Sequence, residues 1–120
     1  MKRRKKDKLT KINIDGGITM ELELTLDNFD AAISESTPII VDFWASWCGP
    51  CRMLAGTVEQ VANESDGSYR VGKVNVDEQP ELAKRYKVMS IPTLIVFKNG
   101  EIVNQSVGVI PKGKMLEMLK

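Results

Sequence analysis

The sequence predicts a single α/β domain with five strands and four helices, in which a parallel portion of the sheet is extended by an antiparallel edge. Three observations support this fold class. A chain of 120 residues has the length of one domain and can bury a core without disulfide or metal staples. Apolar strand-like segments alternate with segments of helical periodicity, which favours parallel strand pairing. Near the end, Asn99-Gly100 separates two strand-like segments, which predicts a tight hairpin and an antiparallel edge.

The elements are predicted in the order βαβαβαββα. The first strand alternates polar and apolar residues over 21–26, and Asp27 or Asn28 is expected to cap the helix that carries Phe29 and Ile33. The later strands are rich in apolar and β-branched residues and are predicted over 38–44, 69–76, 93–97 and 101–107.

Three further helices follow the first. The longest begins at the cysteine pair, and Gly67 is its expected C-terminal stop. The apolar residues of this helix lie on one face at helical spacing. They are Leu54, Val58, Val61 and Ala62. A short helix over 80–86 is opened by Asp77, and a terminal helix is predicted over 112–119.

Charge is distributed unevenly along the chain. Residues 1–20 hold seven Lys or Arg against two Asp, for a net +5. Residues 21–120 hold ten Lys or Arg against fourteen Asp or Glu, for a net −4. An acidic body argues against nucleic acid as the main partner. No apolar run approaches the roughly 18 residues that a membrane span requires, so no membrane partner is expected.

Residues 1–20 are predicted to be a basic N-terminal extension, separate from a domain over 21–120 and either disordered or non-native. No apolar stretch follows its basic run, which argues against a secretory signal. The composition favours a disordered tail over a polybasic arm for RNA or an anionic surface. A third hypothesis is a translated leader over 1–19 before a start at Met20, since Gly16-Gly17 can be encoded by a ribosome-binding sequence.

Cys48 and Cys51 form a CxxC motif at a predicted junction of strand and helix. Thiol–disulfide exchange needs an attacking thiolate and a second thiol to resolve the mixed disulfide. A helix N-terminus stabilises a thiolate at Cys48, and Cys51 lies one turn further, more buried. Gly49 allows close approach of the backbone, and Pro50 suits a first helical turn.

A metal site is the alternative role for the cysteine pair. Zinc normally takes four protein ligands, and the chain has no histidine and no other cysteine. An intrachain zinc site would need carboxylates to complete it, so no metal is expected.

Asp42 interrupts an otherwise apolar central strand, and Lys73 interrupts the neighbouring valine-rich one. A carboxyl group there is costly unless it is paired or neutral. One interpretation is a strand face that reaches solvent. The other is a buried acid with a raised pKa, which could take the proton of Cys51 while Lys73 partners it.

Pro92 lies between Ile91 and the apolar strand that begins at Thr93. It is either an ordinary proline at the start of a strand or part of a cis peptide bond, which is rare enough to indicate a functional geometry.

Together these motifs resemble the thioredoxin family. The segments that carry the resemblance are VDFWASWCGPC at 41–51, VNVD at 74–77, IPTL at 91–94 and FKNGE at 97–101. The resemblance spans residues 21–120 and implies the thioredoxin fold, a central mixed sheet of five strands with helices on both faces. It implies Cys48 as the nucleophile and Cys51 as the resolving thiol, Asp42 and Lys73 as the buried acid and its lysine, and Pro92 as the cis-proline that faces the disulfide.

The resemblance also implies where partners bind. The backbone of Ile91 would pair with a bound substrate strand. The remaining residues of this expected docking surface are Trp47, Gly49, Pro50, Val76, Val107, Gly108 and Val109.

The family implies a cytoplasmic, monomeric protein-disulfide reductase with no bound cofactor. Its redox group would be the Cys48–Cys51 disulfide, and its partners would be disulfide-containing target proteins. Electrons would come from NADPH through a thioredoxin reductase. The Gly-Pro pair between the cysteines resembles the reducing members, since a histidine there would favour the reduced enzyme.

Two departures from the family pattern concern Gly56, where a helix proline is usual, and Ser90, where glycine is common. Two other functions stay open. One is a thioredoxin-fold binding or chaperone subunit with dispensable thiols, and the other is an iron–sulfur or zinc protein bridged between chains.

Overall fold

The computed structural model describes residues 11–12 and 18–120 of the chain. The strands are β1 (Lys11–Ile12), β2 (Ile18–Thr19), β3 (Leu22–Glu23), β4 (Ile39–Trp44), β5 (Arg70–Asn75), β6 (Thr93–Lys98) and β7 (Glu101–Val107). The helices of the described residues are α1 (Phe29–Ile33), α2 (Gly49–Asn63), α3 (Pro80–Arg85) and α4 (Lys112–Met118). From β3 onward, the predicted order βαβαβαββα is confirmed.

The main sheet has five strands in the spatial order β3-β5-β4-β6-β7. Strand β4 lies at its centre, parallel to β5 and antiparallel to β6, which confirms the predicted mixed sheet. The hairpin between β6 and β7 turns at Asn99 and Gly100, whose φ angles are 55° and 82°. Positive φ at both central residues is what a type I′ turn requires, so the predicted hairpin is confirmed.

Two apolar cores lie on opposite faces of the sheet because the side chains of β4 alternate. Val41 and Phe43 pack on one face with Phe29 of α1 and Leu82 of α3. Ile40 packs on the other face in the second core. Its helix residues are Leu54, Val58, Val61 and Ala62 of α2 and Met115 of α4. The predicted apolar stripe of α2 is therefore buried, and helices cover both faces.

The first strand of the domain is shorter than the predicted 21–26. Strand β3 ends at Glu23, although the Leu24 N–H still donates to the Lys73 carbonyl at 2.9 Å. The Asn28 side chain accepts from the Thr25 N–H at 2.8 Å and donates to the Glu23 carbonyl at 3.1 Å. These bonds fold the chain into a turn, which ends the strand.

The predicted helix caps are wrong in three places. Asn28 precedes α1 but its side chain makes no capping hydrogen bond, since it is bonded back to the turn. Helix α3 begins after Gln79 rather than Asp77. Helix α2 ends at Asn63, and Gly67 lies in the following loop with a φ of 101°.

The predicted N-terminal extension lies mostly outside the described residues. Within it, the backbones of β1 and β2 pair antiparallel, with Ile12 opposite Ile18. Its predicted disorder and the Met20 start therefore stay predictions.

Candidate active site

Cys48 and Cys51 are joined in a disulfide at the start of α2. Cys48 is the N-cap residue with an extended backbone (φ −90°, ψ 113°), and its Sγ accepts the Cys51 N–H at 3.2 Å. Pro50 lies in the first helical turn, where a missing N–H costs nothing. The positive end of α2 therefore points at the Cys48 sulfur, as the sequence predicts.

Burial distinguishes the two cysteines less than expected. Cys48 is 5% exposed and Cys51 is 2% exposed, so the prediction of an exposed Cys48 is wrong in degree. Both residues pack with Ala45, Trp44, Val76 and Ile91 in one small apolar cluster. The feature that distinguishes Cys48 from Cys51 is therefore its place at the helix N-terminus rather than the exposure of the whole residue.

The loop before β6 lies against the disulfide. The peptide bond between Ile91 and Pro92 is cis, and the Ile91 carbonyl oxygen lies 3.8 Å from the Cys48 Sγ. The Gly108 N–H donates to the Pro92 carbonyl at 2.8 Å, which ties this loop to the end of β7. The Thr93 hydroxyl donates to the Ser90 carbonyl and closes the loop from within.

Asp42 is a buried carboxyl group, 1% exposed, on the central strand. It pairs in register with Lys73 on β5, and the Lys73 Nζ lies 3.9 Å from the Asp42 Oδ2. Among the described residues, neither carboxyl oxygen of Asp42 has a hydrogen-bond partner. Burial raises the pKa of Asp42 to about 6, against the opposing charge of Lys73. Of the two interpretations of Asp42, the structure has the buried acid.

Apolar side chains near the disulfide are open to solvent. Trp47 is 67% exposed, Val107 is 61% and Val109 is 46%. The Trp47 indole N–H donates to Asp77 Oδ2 at 2.8 Å, which fixes the ring beside the motif. Pro50 is exposed and Gly49 and Gly108 are half-buried, whereas Val76 and Ile91 contact the cysteine cluster.

The structure joins most predicted site residues in two groups. One is the disulfide with Val76, Ile91 and the loop at Pro92, and the other is Asp42 with Lys73. No hydrogen bond from Asp42 to a described residue links the groups directly.

Two contacts of the site were not predicted from sequence. Lys73 Nζ lies 4.8 Å from the centroid of the Trp44 ring, a cation–π contact that no sequence motif signals. The second contact is the hydrogen bond from the Trp47 indole to Asp77, and the sequence does contain a signal for the position of Asp77. The Asn75 side chain accepts from the Asp77 N–H at 2.9 Å, the Asx turn that an asparagine two residues upstream favours.

The described residues contain no group of three or more His, Cys, Asp or Glu side chains that could hold a metal ion. None of the described helices is long and apolar enough to span a membrane.

The arrangement suits dithiol–disulfide exchange. The Cα atoms of Cys48 and Cys51 are 5.3 Å apart, within the range of an ordinary disulfide. When the bond is reduced, the same backbone keeps both thiols within reach of one another. A mixed disulfide on one sulfur can therefore be resolved by the other.

Known proteins match this chain over nearly the whole domain. The family model described as Thioredoxin matches residues 20–120. A protein named Thioredoxin from Staphylococcus epidermidis is 50% identical over 98 residues, covering 82% of this chain and 93% of its own length. Thioredoxin 1 from Nostoc is 43% identical over 99 residues, covering 82% and 92%. The solved structure of a thioredoxin mutant from Halobacterium salinarum matches with a TM-score of 0.76 at 34% identity, covering 82% and 87%.

Proposed function

Because this chain belongs to the thioredoxin family, it is a protein-disulfide oxidoreductase, and we propose that it reduces its targets with Cys48 as nucleophile and Cys51 as resolving thiol. The Cys48 thiolate attacks one sulfur of a target disulfide and releases the other as a thiolate. Cys51 then attacks the Cys48 sulfur, which releases the second target thiolate and forms the Cys48–Cys51 disulfide. The target gains two electrons and two protons.

The single observation that carries this order of attack is the helix N-terminus at Cys48. The Cys48 sulfur accepts the Cys51 N–H at 3.2 Å from the N-cap position. Cys51 lies inside the helix, away from the N-cap position. Hydrogen bonds and the helix dipole favour the charged form of a thiol at this place. Cys48 is thus the sulfur that is ionised first.

We propose Asp42 as the group that accepts the proton of Cys51. A raised pKa of about 6 suits a group that must take up and release protons near neutral pH. Since Asp42 makes no direct hydrogen bond within the described part of the chain, the proton is proposed to pass through one water molecule. Lys73, 3.9 Å from Asp42, would stabilise the carboxylate before transfer.

Targets are proposed to dock beside the cis-proline loop. The exposed rings and side chains of Trp47, Val107 and Val109 offer apolar contacts, with Gly49, Pro50, Val76 and Gly108 between them. The Ile91 backbone is proposed to pair with an extended target segment, and Pro92 to keep that loop against the disulfide.

Electrons are proposed to come from NADPH through a flavin-dependent thioredoxin reductase. The protein is proposed to act in the cytoplasm as a monomer. The Gly49-Pro50 pair supports the reducing direction because no imidazole between the cysteines stabilises the Cys48 thiolate further.

Insulin reduction by the full chain tests this proposal, first with dithiothreitol as reductant. We expect Cys48→Ser and Cys51→Ser to abolish catalysis above the dithiothreitol background, and Ser46→Ala beside the motif to retain it. Catalysis by Cys48→Ser would contradict the mechanism. NADPH with a bacterial thioredoxin reductase should replace dithiothreitol. Failure of that arm alone would contradict the electron source and leave the thiol roles standing.

A further inference from the structure

Arg52 is a cationic side chain near the start of α2 that the exchange mechanism does not use. It directly follows Cys51, and its backbone N–H donates to the Cys48 carbonyl at 3.1 Å. Its guanidinium Nη1 donates to the Ser46 carbonyl at 2.9 Å. The residue is exposed and free to extend into solvent, yet its side chain turns back toward the N-terminal end of the helix.

The Ser46 carbonyl lies in the turn that leads into Cys48. The Cys48 N–H donates to the Ala45 carbonyl at 3.2 Å, which closes a turn over residues 45–48. Ser46 and Cys48 are two residues apart, so their Cα atoms are separated by at most about 7 Å. Because Arg52 is hydrogen-bonded to both Ser46 and Cys48, its positive charge is held beside the chain segment that carries Cys48.

A cation at this end of a helix is unfavourable by itself. Helix N-termini favour negatively charged side chains, since the macrodipole and the unpaired N–H groups are positive there. The first turn of α2, which the structure describes in full, contains no acidic residue. The charge of Arg52 and the positive end of the helix therefore add at the same place. The anion that both would stabilise is the thiolate of Cys48.

The side chains that pack directly against Cys48 are mostly apolar. The members of this cluster are Trp44, Ala45, Cys51, Val76 and Ile91. Among the described residues, the other charged groups of the site are Asp77 and the buried pair of Asp42 and Lys73. The carboxylate of Asp77 opposes a further anion, whereas Asp42 and Lys73 offset one another when both are ionised. Arg52 is bonded to a neutral carbonyl, so its charge is not offset at that contact.

We propose that Arg52 is a positioning residue for disulfide exchange, whose hydrogen bond to the Ser46 carbonyl holds a positive charge beside Cys48 and so favours the Cys48 thiolate. This inference rests on the proposed role of Cys48 as nucleophile. Arg52 acts by Coulomb attraction and forms no bond with the target. Because the charge is exposed, its effect is moderate, about threefold in the thiolate fraction at acidic pH.

The pH dependence of Cys48 alkylation by iodoacetamide tests this in the reduced full-length protein, with peptide mapping to separate Cys48 from Cys51. We expect Arg52→Met to move the Cys48 profile to higher pH and to slow its labelling at pH 6 about threefold. Lys98→Met removes the same charge at the far end of β6 and should leave the profile unchanged. An unchanged profile in Arg52→Met overturns the inference.

Two further measurements separate the charge of Arg52 from a merely structural effect. Arg52→Lys keeps the charge and should stay close to the original protein, and a profile like that of Arg52→Met would overturn the role of the charge. Raising KCl from about 0.01 M to about 1 M should slow Cys48 labelling more in the original protein than in Arg52→Met, because salt screens an exposed charge. Equal salt effects in the two proteins would also overturn it.

Failure of the proposed function would give a different result. If Cys48→Ser still catalyses insulin reduction, Cys48 is not the nucleophile, and the mechanism is wrong whatever Arg52 does to the thiol. If Cys48→Ser is inactive but Arg52→Met has the alkylation profile of the original protein, the thiol roles stand and the inference about Arg52 is wrong.

Discussion

At the scale of single residues, the buried Asp42 carboxyl group lowers the free energy of unfolding near neutral pH. Its pKa lies at about 6 in the folded chain and near 3.8 in an unfolded one, because burial disfavours the carboxylate. Between these pH values the folded state holds a proton that the unfolded state has released. Stability from this group is therefore complete below pH 3.8 and is lost as pH rises through about 6.

Asp42→Asn is expected to raise the free energy of unfolding at pH 7 by up to about 3 kcal/mol, the value of the shift from 3.8 to about 6. The gain should vanish near pH 3.5, where Asp42 is protonated in both states. Denaturant unfolding across this pH range measures it. Asp27→Asn, on the surface, is the control and should stay within about 0.5 kcal/mol. A gain independent of pH would contradict an ionisation cost.

The two thiols of the reduced protein should differ in reactivity although both cysteines are buried. At mildly acidic pH, iodoacetamide is expected to label Cys48 about tenfold faster than Cys51 or more, because only Cys48 caps the helix. Peptide mapping after timed quenching measures the ratio. The ratio of the Cys48 labelling rate to the Cys51 labelling rate should decrease as the pH rises to values at which both thiols are ionised. Equal labelling at pH 6 would show that the helix N-terminus does not select Cys48.

At the scale of elements, α2 contains a replaceable glycine. Gly56 lies on the exposed side of the helix, and a Cβ built there meets no atom within 4 Å. Gly56→Ala is therefore expected to raise the free energy of unfolding by about 1 kcal/mol without changing activity. Thermal and urea unfolding measure the change.

Gly67→Ala provides a control of opposite sign. A Cβ at Gly67 also meets nothing within 4 Å, but the φ of 101° is one that alanine rarely adopts. We expect this variant to lose stability, by about 1 kcal/mol or more. A gain in both variants would mean that the change acts through the unfolded chain and not through helix propensity.

The presence of each helix and strand of the domain was predictable from local residue patterns, but the residues at which they end were not. The stripe of Leu54, Val58 and Val61 and the Asn99-Gly100 turn each depend on neighbours in sequence, and both are confirmed. The end of β3 depends on which partner the Asn28 side chain takes, the helix or the preceding turn. The local sequence does not distinguish these two partners of the Asn28 side chain, and tertiary packing determines which hydrogen bonds form.

At the scale of the whole molecule, the sheet brings together residues that lie far apart in the chain. The motif at Cys48 meets the loop at Ile91 and the half-buried Val76, and Asp42 meets Lys73 across a strand pair. The family resemblance predicted these partners by position. It could not predict how deeply Cys48 is covered, since burial depends on the packing of Trp44 and Ala45 around it.

The cation–π contact of Lys73 with Trp44 also arises only from the assembled sheet. It requires the register of β4 and β5, which fixes which side chains share a face. Local patterns specify the strands but leave that register open, so this contact had no signal in the sequence.

Trapping the mixed disulfide tests the central claim most directly, the order in which the cysteines act. Reduced Cys51→Ser and Cys48→Ser variants are incubated with a disulfide-linked peptide dimer, and intact mass and peptide mapping locate the adduct. We predict that Cys51→Ser accumulates one peptide on Cys48, which lacks its resolving thiol, whereas Cys48→Ser forms no adduct on the same timescale. An equally fast adduct on Cys51 in Cys48→Ser would contradict the account.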